Sequence, residues 1–246
     1  MIPMRSLILA LVCTTSVLAL LPACSTSRSA VSAAASPNQL LAQERSAGWR
    51  SLFDGRTTAG WRAFGKPAFP AQGWVVDNDW LKHVAKGGGG DIITEEKFTD
   101  FELTWTWRVA PGANSGLKYF IDEARGAAIG HEYQLIDDAL HPDALIGPKR
   151  QTGSLYDALA PTSHPLRPAG EVNTSRVTVR GGHVEHWLNG VKVLAYDLGS
   201  AGMLAAKAQS KFKNEAKWGT KFATPILLQD HGDEVWFRDI KIRPLG

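Results

Sequence analysis

The chain has 246 residues, with 27 Lys and Arg against 24 Asp and Glu and a formal charge of +3. So slight a basic balance, with no basic run, excludes nucleic acid as an expected partner. Both cysteines, Cys13 and Cys24, lie at the N-terminal end, so the body of the chain has no disulfide, thiol nucleophile or cysteine-held metal.

Arg5 gives the N-terminus a positive start, and Leu7 to Leu21 is almost wholly apolar. This pattern predicts a signal peptide over residues 1–23. The run falls short of the roughly 20 apolar residues that span a bilayer. Leu21, Ala23 and Cys24 resemble a bacterial lipobox, which implies cleavage before Cys24 and lipidation of its thiol. Ser25 after the cysteine implies, by resemblance to Gram-negative lipoproteins, an outer-membrane lipoprotein facing the periplasm. Contact with the membrane is then through the lipid anchor only. The Ser, Ala and Gln that follow predict a flexible tether over residues 24–47. Residues 48–246 are long enough for one large domain.

Within that domain, Phe101, Leu103, Trp105, Trp107 and Val109 alternate with polar residues, the pattern of a half-buried strand. Thr174 to Tyr196 reads as three strands, with Asn189-Gly190 as a hairpin turn because both residues tolerate positive φ. Glu234 to Pro244 is a closing strand. Shorter strands are predicted at WRSLF, WVVDN, WLKHV, DIITE, SGLKYFID, GSLYD and PILLQD. One segment, Ala201 to Phe212, reads as a helix, with Leu204, Lys207 and Lys211 among its residues. Many short strands, one helix and no fixed repeat predict an all-β jelly-roll sandwich. Such a fold offers a concave groove on one sheet.

Several strands carry polar residues where a plain wet face would do. In GHEYQLIDD, Glu132 and Gln134 share one side, close to Asp137 and Asp138. Lys118 lies opposite Tyr119, and His186 alternates with Glu185 and Trp187. Gln229 and His231 fall on one side of a strand, Trp236 and Arg238 share a face of the next, and GSLYD offers Tyr156 and Asp157. Taken singly, these are solvated cations, hydrogen-bonded walls or, for Asp137, Asp138 and His141, loop caps or a calcium site. Five such segments together predict one convergent pocket.

The stretches GWRSLFDGRTTAGWR, DFELTWTWRVAPGANSGLKYF, GHEYQLIDD, GSLYD, VEHWLNG and LLQDHGDEVWFRDIKIRPL resemble the 3-keto-disaccharide hydrolase domain family, formerly a domain of unknown function and labelled a glycosyl hydrolase. The likeness runs from Gly48 to Leu245. It departs at Ala223-Thr224-Pro225, where relatives often carry Gly-His. The resemblance implies a concanavalin-like jelly roll acting on glycosides oxidised at C3. Such chemistry needs a base over C2, a cation facing the C3 oxygen and an acid at the C1 oxygen. For the base, His231 stands first and Glu132 second. Lys118 and Arg238 are candidate cations, and Tyr156 or His186 candidate acids. Gln134 and Gln229 would hold hydroxyls, Trp236 or Trp187 would stack on a ring, and Asp138 completes the substrate set. A divalent ion on Glu132, Asp138 or His231 would also stabilise an enolate. The alternative is a non-catalytic carbohydrate-binding lipoprotein, which needs the tryptophans but not His231 or Glu132.

Overall fold

The computed structural model of the protein describes Met1 and residues 36–246. The signal sequence, Cys24 and the start of the tether lie outside the described residues. A short helix α1 (Ala42–Ser46) leads into β1 (Arg50–Ser51), β2 (Trp61–Ala63), β3 (Trp74–Asp77), β4 (Trp80–His83), β5 (Ile92–Thr94) and β6 (Phe101–Val109). Then come β7 (Asn114–Tyr119), β8 (His131–Ile136), β9 (Asn173–Arg180), β10 (His183–Leu188) and β11 (Val191–Asp197). Helix α2 (Ala201–Ala208), β12 (Leu227–Leu228) and β13 (Val235–Pro244) complete the chain.

The strands form two antiparallel sheets packed as a jelly-roll sandwich. One runs β11-β10-β9-β6-β13-β4-β3, with β1 paired to β13; the other runs β2-β5-β12-β7-β8. The alternation in β6 decides which side faces in. Leu103, Trp105 and Trp107 are buried against Leu117, Tyr119, Tyr133 and Leu135 of the five-stranded sheet. Trp105 meets Tyr133 edge-on, with ring centroids 5.0 Å apart. Burying each such side chain is worth about 1.5–3 kcal/mol, and with no disulfide in the domain this core must hold the sheets together. The Asn189-Gly190 turn has φ of 47° and 82°, as the hairpin requires.

Three local expectations change. The tether is ordered before residue 48: Asn38 is buried, its amide donates to Asp239 Oδ1 at 2.7 Å and its Nδ2 to the Asp79 carbonyl. Helix α2 stops at Ala208 because Ser210 Oγ donates to the Lys207 carbonyl and accepts from the Phe212 amide, which pulls the chain out of the helix. GSLYD is not a sheet strand. It lies irregularly along the free edge of β8, with Gly153 N donating to the Gln134 carbonyl and Tyr156 N to the Glu132 carbonyl. A tight Leu155–Leu159 turn and Asp157 at φ 60° end the pairing, yet the exposed edge is covered.

Candidate active site

Strands β7 and β8 are buried on both faces. The inner face is the core; the outer face is roofed by the loops after β8 and α2. Period two puts Asn114, Gly116 and Lys118 of β7 outward, beside Ile136, Gln134 and Glu132 of β8 in direct register. Leu227 of β12 pairs with Lys118, so Gln229, two residues on, shares that face, and its amide donates to the Gly116 carbonyl at 2.9 Å. His231 follows at the Asn114 end, its Nε2 3.4 Å from Asn114 Nδ2. Five of the residues singled out in the sequence, Lys118, Glu132, Gln134, Gln229 and His231, therefore share one side of one sheet. Tyr156 joins them from the edge segment.

The polar face is laid out with specific unfilled valences. Lys118 Nζ lies 3.5 Å from Glu132 Oε2, both side chains nearly closed to solvent. Gly116 leaves the room that Glu132 occupies: a Cβ there would stand 2.5 Å from Oε1. The Oε1 atoms of Gln134 and Gln229 and the Oδ1 of Asn114 are buried without a hydrogen-bond partner. Three carbonyl oxygens aimed outward from one sheet face are acceptors for a ligand rich in hydroxyls.

Two residues that the sequence did not single out complete the surroundings. Asp91, immediately before β5, has its carboxyl pushed up by burial, with Lys118 opposing; Oδ1 accepts from the Asp230 amide at 2.9 Å. The only sequence signal for it was an acid opening the apolar run Ile92-Ile93. Lys211 reaches the face from the loop after α2, its Nζ 4.1 Å from the Tyr156 ring centroid. As a residue it is open to solvent, but burial of its ammonium pulls its pKa down; Glu132 opposes and Lys118 adds to the shift. Lys118, Glu132, Lys211 and Phe212 line a cavity of about 240 Å³.

Tyr156 is close to this cavity but not free. Its hydroxyl donates to Asp143 Oδ2 at 2.7 Å, and burial together with that carboxylate raises its pKa well above normal. The bonds from Tyr156 and Arg150 hold Asp143 below the usual carboxylate range, although burial acts the other way.

The other expected site residues lie elsewhere. His186 is in the core between the sheets, donating through Nδ1 to the Gly153 carbonyl at 2.9 Å and facing the Tyr119 hydroxyl through Nε2 at 2.7 Å. Burial lowers its pKa to about 4. Trp236 and Arg238 are on the outward face of the eight-stranded sheet. There Arg108 stacks 4.2 Å over Trp236, Arg238 stacks 4.2 Å over Trp80, and Arg176 stacks 3.9 Å over Trp187. Each of these rings already carries a cation against it. Asp138 turns to the opposite side of its strand end, taking the Thr152 amide at 2.8 Å and lining a separate hollow with Trp107 and Asn173.

The expected metal donors Glu132, Asp138 and His231 thus do not converge. His141, His231 and Asp233 do, each offering one ligand atom within 4.8 Å of the others. His141 Nδ1, however, accepts the Asp143 amide at 3.1 Å, which fixes the ring proton on Nε2. A cation held by these three would have to displace that amide from His141.

The family described as the 3-keto-alpha-glucoside-1,2-lyase-like domain matches residues 48–243. A 3-keto-disaccharide hydrolase of Bacteroides thetaiotaomicron is 34% identical over 230 residues, 80% of this chain and 79% of its own length. A solved candidate glycosyl hydrolase of Parabacteroides distasonis is 30% identical with a TM-score of 0.78, covering 86% of this chain and 100% of that one. A second from the same organism, at 24% identity, shares the fold with a TM-score of 0.60 over 80% of this chain and 99% of that one.

Proposed function

The chain belongs to the 3-keto-alpha-glucoside-1,2-lyase-like family, and from that premise we propose that it cleaves glycosides whose sugar carries a ketone at C3. It is a glycoside-cleaving hydrolase by its kinship with the 3-keto-disaccharide hydrolase; the route is our reading. A C3 ketone acidifies the C2 proton. Removing that proton gives an enolate, which expels the C1 substituent, and water then adds back across the double bond. No oxocarbenium ion forms, so the paired carboxylates of ordinary glycosidases are not required.

The observation that carries this reading is the Lys118–Glu132 pair on the polar sheet face. Glu132 takes the C2 proton and becomes neutral. Lys118, which had faced that carboxylate, then faces the new negative charge on the C3 oxygen. The net charge around this nearly buried pair never changes, and the cation is in place before charge develops. Glu132 replaces His231 as the better base for a positional reason. It shares the cavity with both lysines, whereas His231 attends Asn114, four residues along β7 and about 13 Å away at ~3.3 Å per residue. His231, Gln134 and Gln229 are assigned to sugar hydroxyls. A lipidated Cys24 would present the domain at the outer membrane.

The experiment compares a 3-keto-glucoside with its unoxidised parent. Turnover of the ketone alone, with deuterium from heavy water entering C2, supports the route. Equal rates on both substrates, or product free of C2 deuterium, overturns it. Tight sugar binding with no turnover of either substrate favours the binding-module alternative.

A further inference from the structure

We propose that Lys211 is the acid that protonates the departing C1 oxygen. The inference rests on the keto-glycoside reading above and deepens it. When the enolate collapses, the C1–O bond breaks and its electron pair stays on oxygen. A poorly stabilised alkoxide needs a proton as that bond breaks. Tyr156, the natural candidate, donates its proton to Asp143 and holds it firmly. Lys118 is committed to Glu132 and the ketone oxygen.

Lys211 has the position and the freedom. Its main-chain amide is anchored on Asp157 Oδ2 at 2.6 Å, and Asp157 is itself held by Arg150 Nε at 2.9 Å. From that fixed root the side chain crosses the Tyr156 ring, with Nζ 4.1 Å from its centroid and 5.1 Å from that of Phe212. Among the described residues Nζ has no carboxylate within ion-pair reach and no hydrogen-bond acceptor. An ammonium resting on two aromatic faces, in a cavity shared with Lys118 and Glu132, has its protons available to an incoming oxygen. Burial and the second amine also make it a stronger acid than a free lysine.

The step balances. The proton on C2 passes to Glu132, and the pair left behind forms the C1=C2 bond as the ketone is restored. The C1–O pair takes a proton from Lys211, which becomes a neutral amine. In hydration that amine accepts a proton from water as its oxygen bonds to C1, and Glu132 returns its proton to C2. Both residues end as they began.

The test uses leaving groups of different basicity. A 3-keto nitrophenyl α-glucoside expels a stable phenolate and needs no acid; a 3-keto methyl α-glucoside does. In Lys211→Met, kcat/KM on the methyl glycoside should fall roughly 10²- to 10⁴-fold, while the nitrophenyl substrate changes little. Lys211→Arg keeps the charge but holds its proton, and should show the same split; it carries the test should Lys211→Met unfold. Equal losses on both substrates, or recovery of methyl glycoside cleavage by arginine, would reduce Lys211 to binding or packing and overturn the proposal. Wild-type protein inert on both ketones would instead sink the underlying reading, and the acid role with it.

Discussion

Lys118 Nζ lies 3.5 Å from Glu132 Oε2 across directly paired positions of β7 and β8, with only 11% and 7% of the two side chains exposed. Asp91 feels the same cation. Removing Lys118 therefore strands two buried carboxylates. Lys118→Met should cost about 3 kcal/mol in urea unfolding, whereas Lys118→Met with Glu132→Gln should recover the part owed to Glu132 and leave that owed to Asp91, since only the first pair is made neutral. Both variants should be inactive. A single mutant as stable as wild type would mean the pair is not a buried one.

The core carries a second polar system that should govern acid stability. His186 Nδ1–H donates to Gly153, Tyr119 donates to His186 Nε2, and the Tyr196 hydroxyl links Tyr119 to His131 Nδ1 at 2.8 Å each. Burial holds His131 at a pKa of about 3 and His186 at about 4. In the unfolded chain both titrate near ~6.5. The stability that depends on keeping them neutral is fully present above ~6.5 and is lost as pH falls towards their folded values, because only the unfolded chain can then bind the protons. Urea midpoints taken from neutral pH down to about 4 should fall steadily, and replacing His186 with Gln should flatten part of that slope. A pH-independent midpoint would contradict the buried, neutral assignment.

The outward face of the eight-stranded sheet should be silent in catalysis. Trp236 is sandwiched by Arg108 and Lys82, and Arg238 lies over Trp80. Trp236→Ala and Arg238→Ala should each lower stability by about 1 kcal/mol through lost cation–π packing. KM for the keto-glycoside should stay at its wild-type value. A rise in KM for either would move a substrate contact to that face.

What the sequence disclosed follows from what period two can and cannot encode. Alternation put Glu132 and Gln134 on one side of β8 and Lys118 opposite Tyr119 in β7, since residues two apart must share a side; the register that sets Lys118 beside Glu132 is a property of the sheet. The pattern could not say whether a side turns inward or outward, or which sheet owns a strand. His186 alternates just as Glu132 does, but its strand turns it into the core; Trp236 and Arg238 point outward from the wrong sheet. Lys211 carried no periodic signal because Ser210 breaks the helix in which the pattern placed it. Asn38 showed nothing locally, since its partners Asp79 and Asp239 are remote in the chain.

Gly116 offers the sharpest probe of Glu132. Its φ is not in the left-handed region, so alanine is tolerated by the backbone; the obstacle is contact alone. A methyl there would stand 2.5 Å from Glu132 Oε1, closer than real atoms approach, and a tight 3.0 Å from Cγ. The carboxylate has to turn away. If it is the base, a displacement near 1 Å should lower kcat by about 10²-fold with little change in KM. Gly202→Ala is the control: nothing lies within 4 Å of its added carbon, and α2 should gain about 0.5–1 kcal/mol from the better helix former with activity unchanged. Full activity in Gly116→Ala would show that the position of Glu132 is immaterial, and the base would then have to be sought at His231.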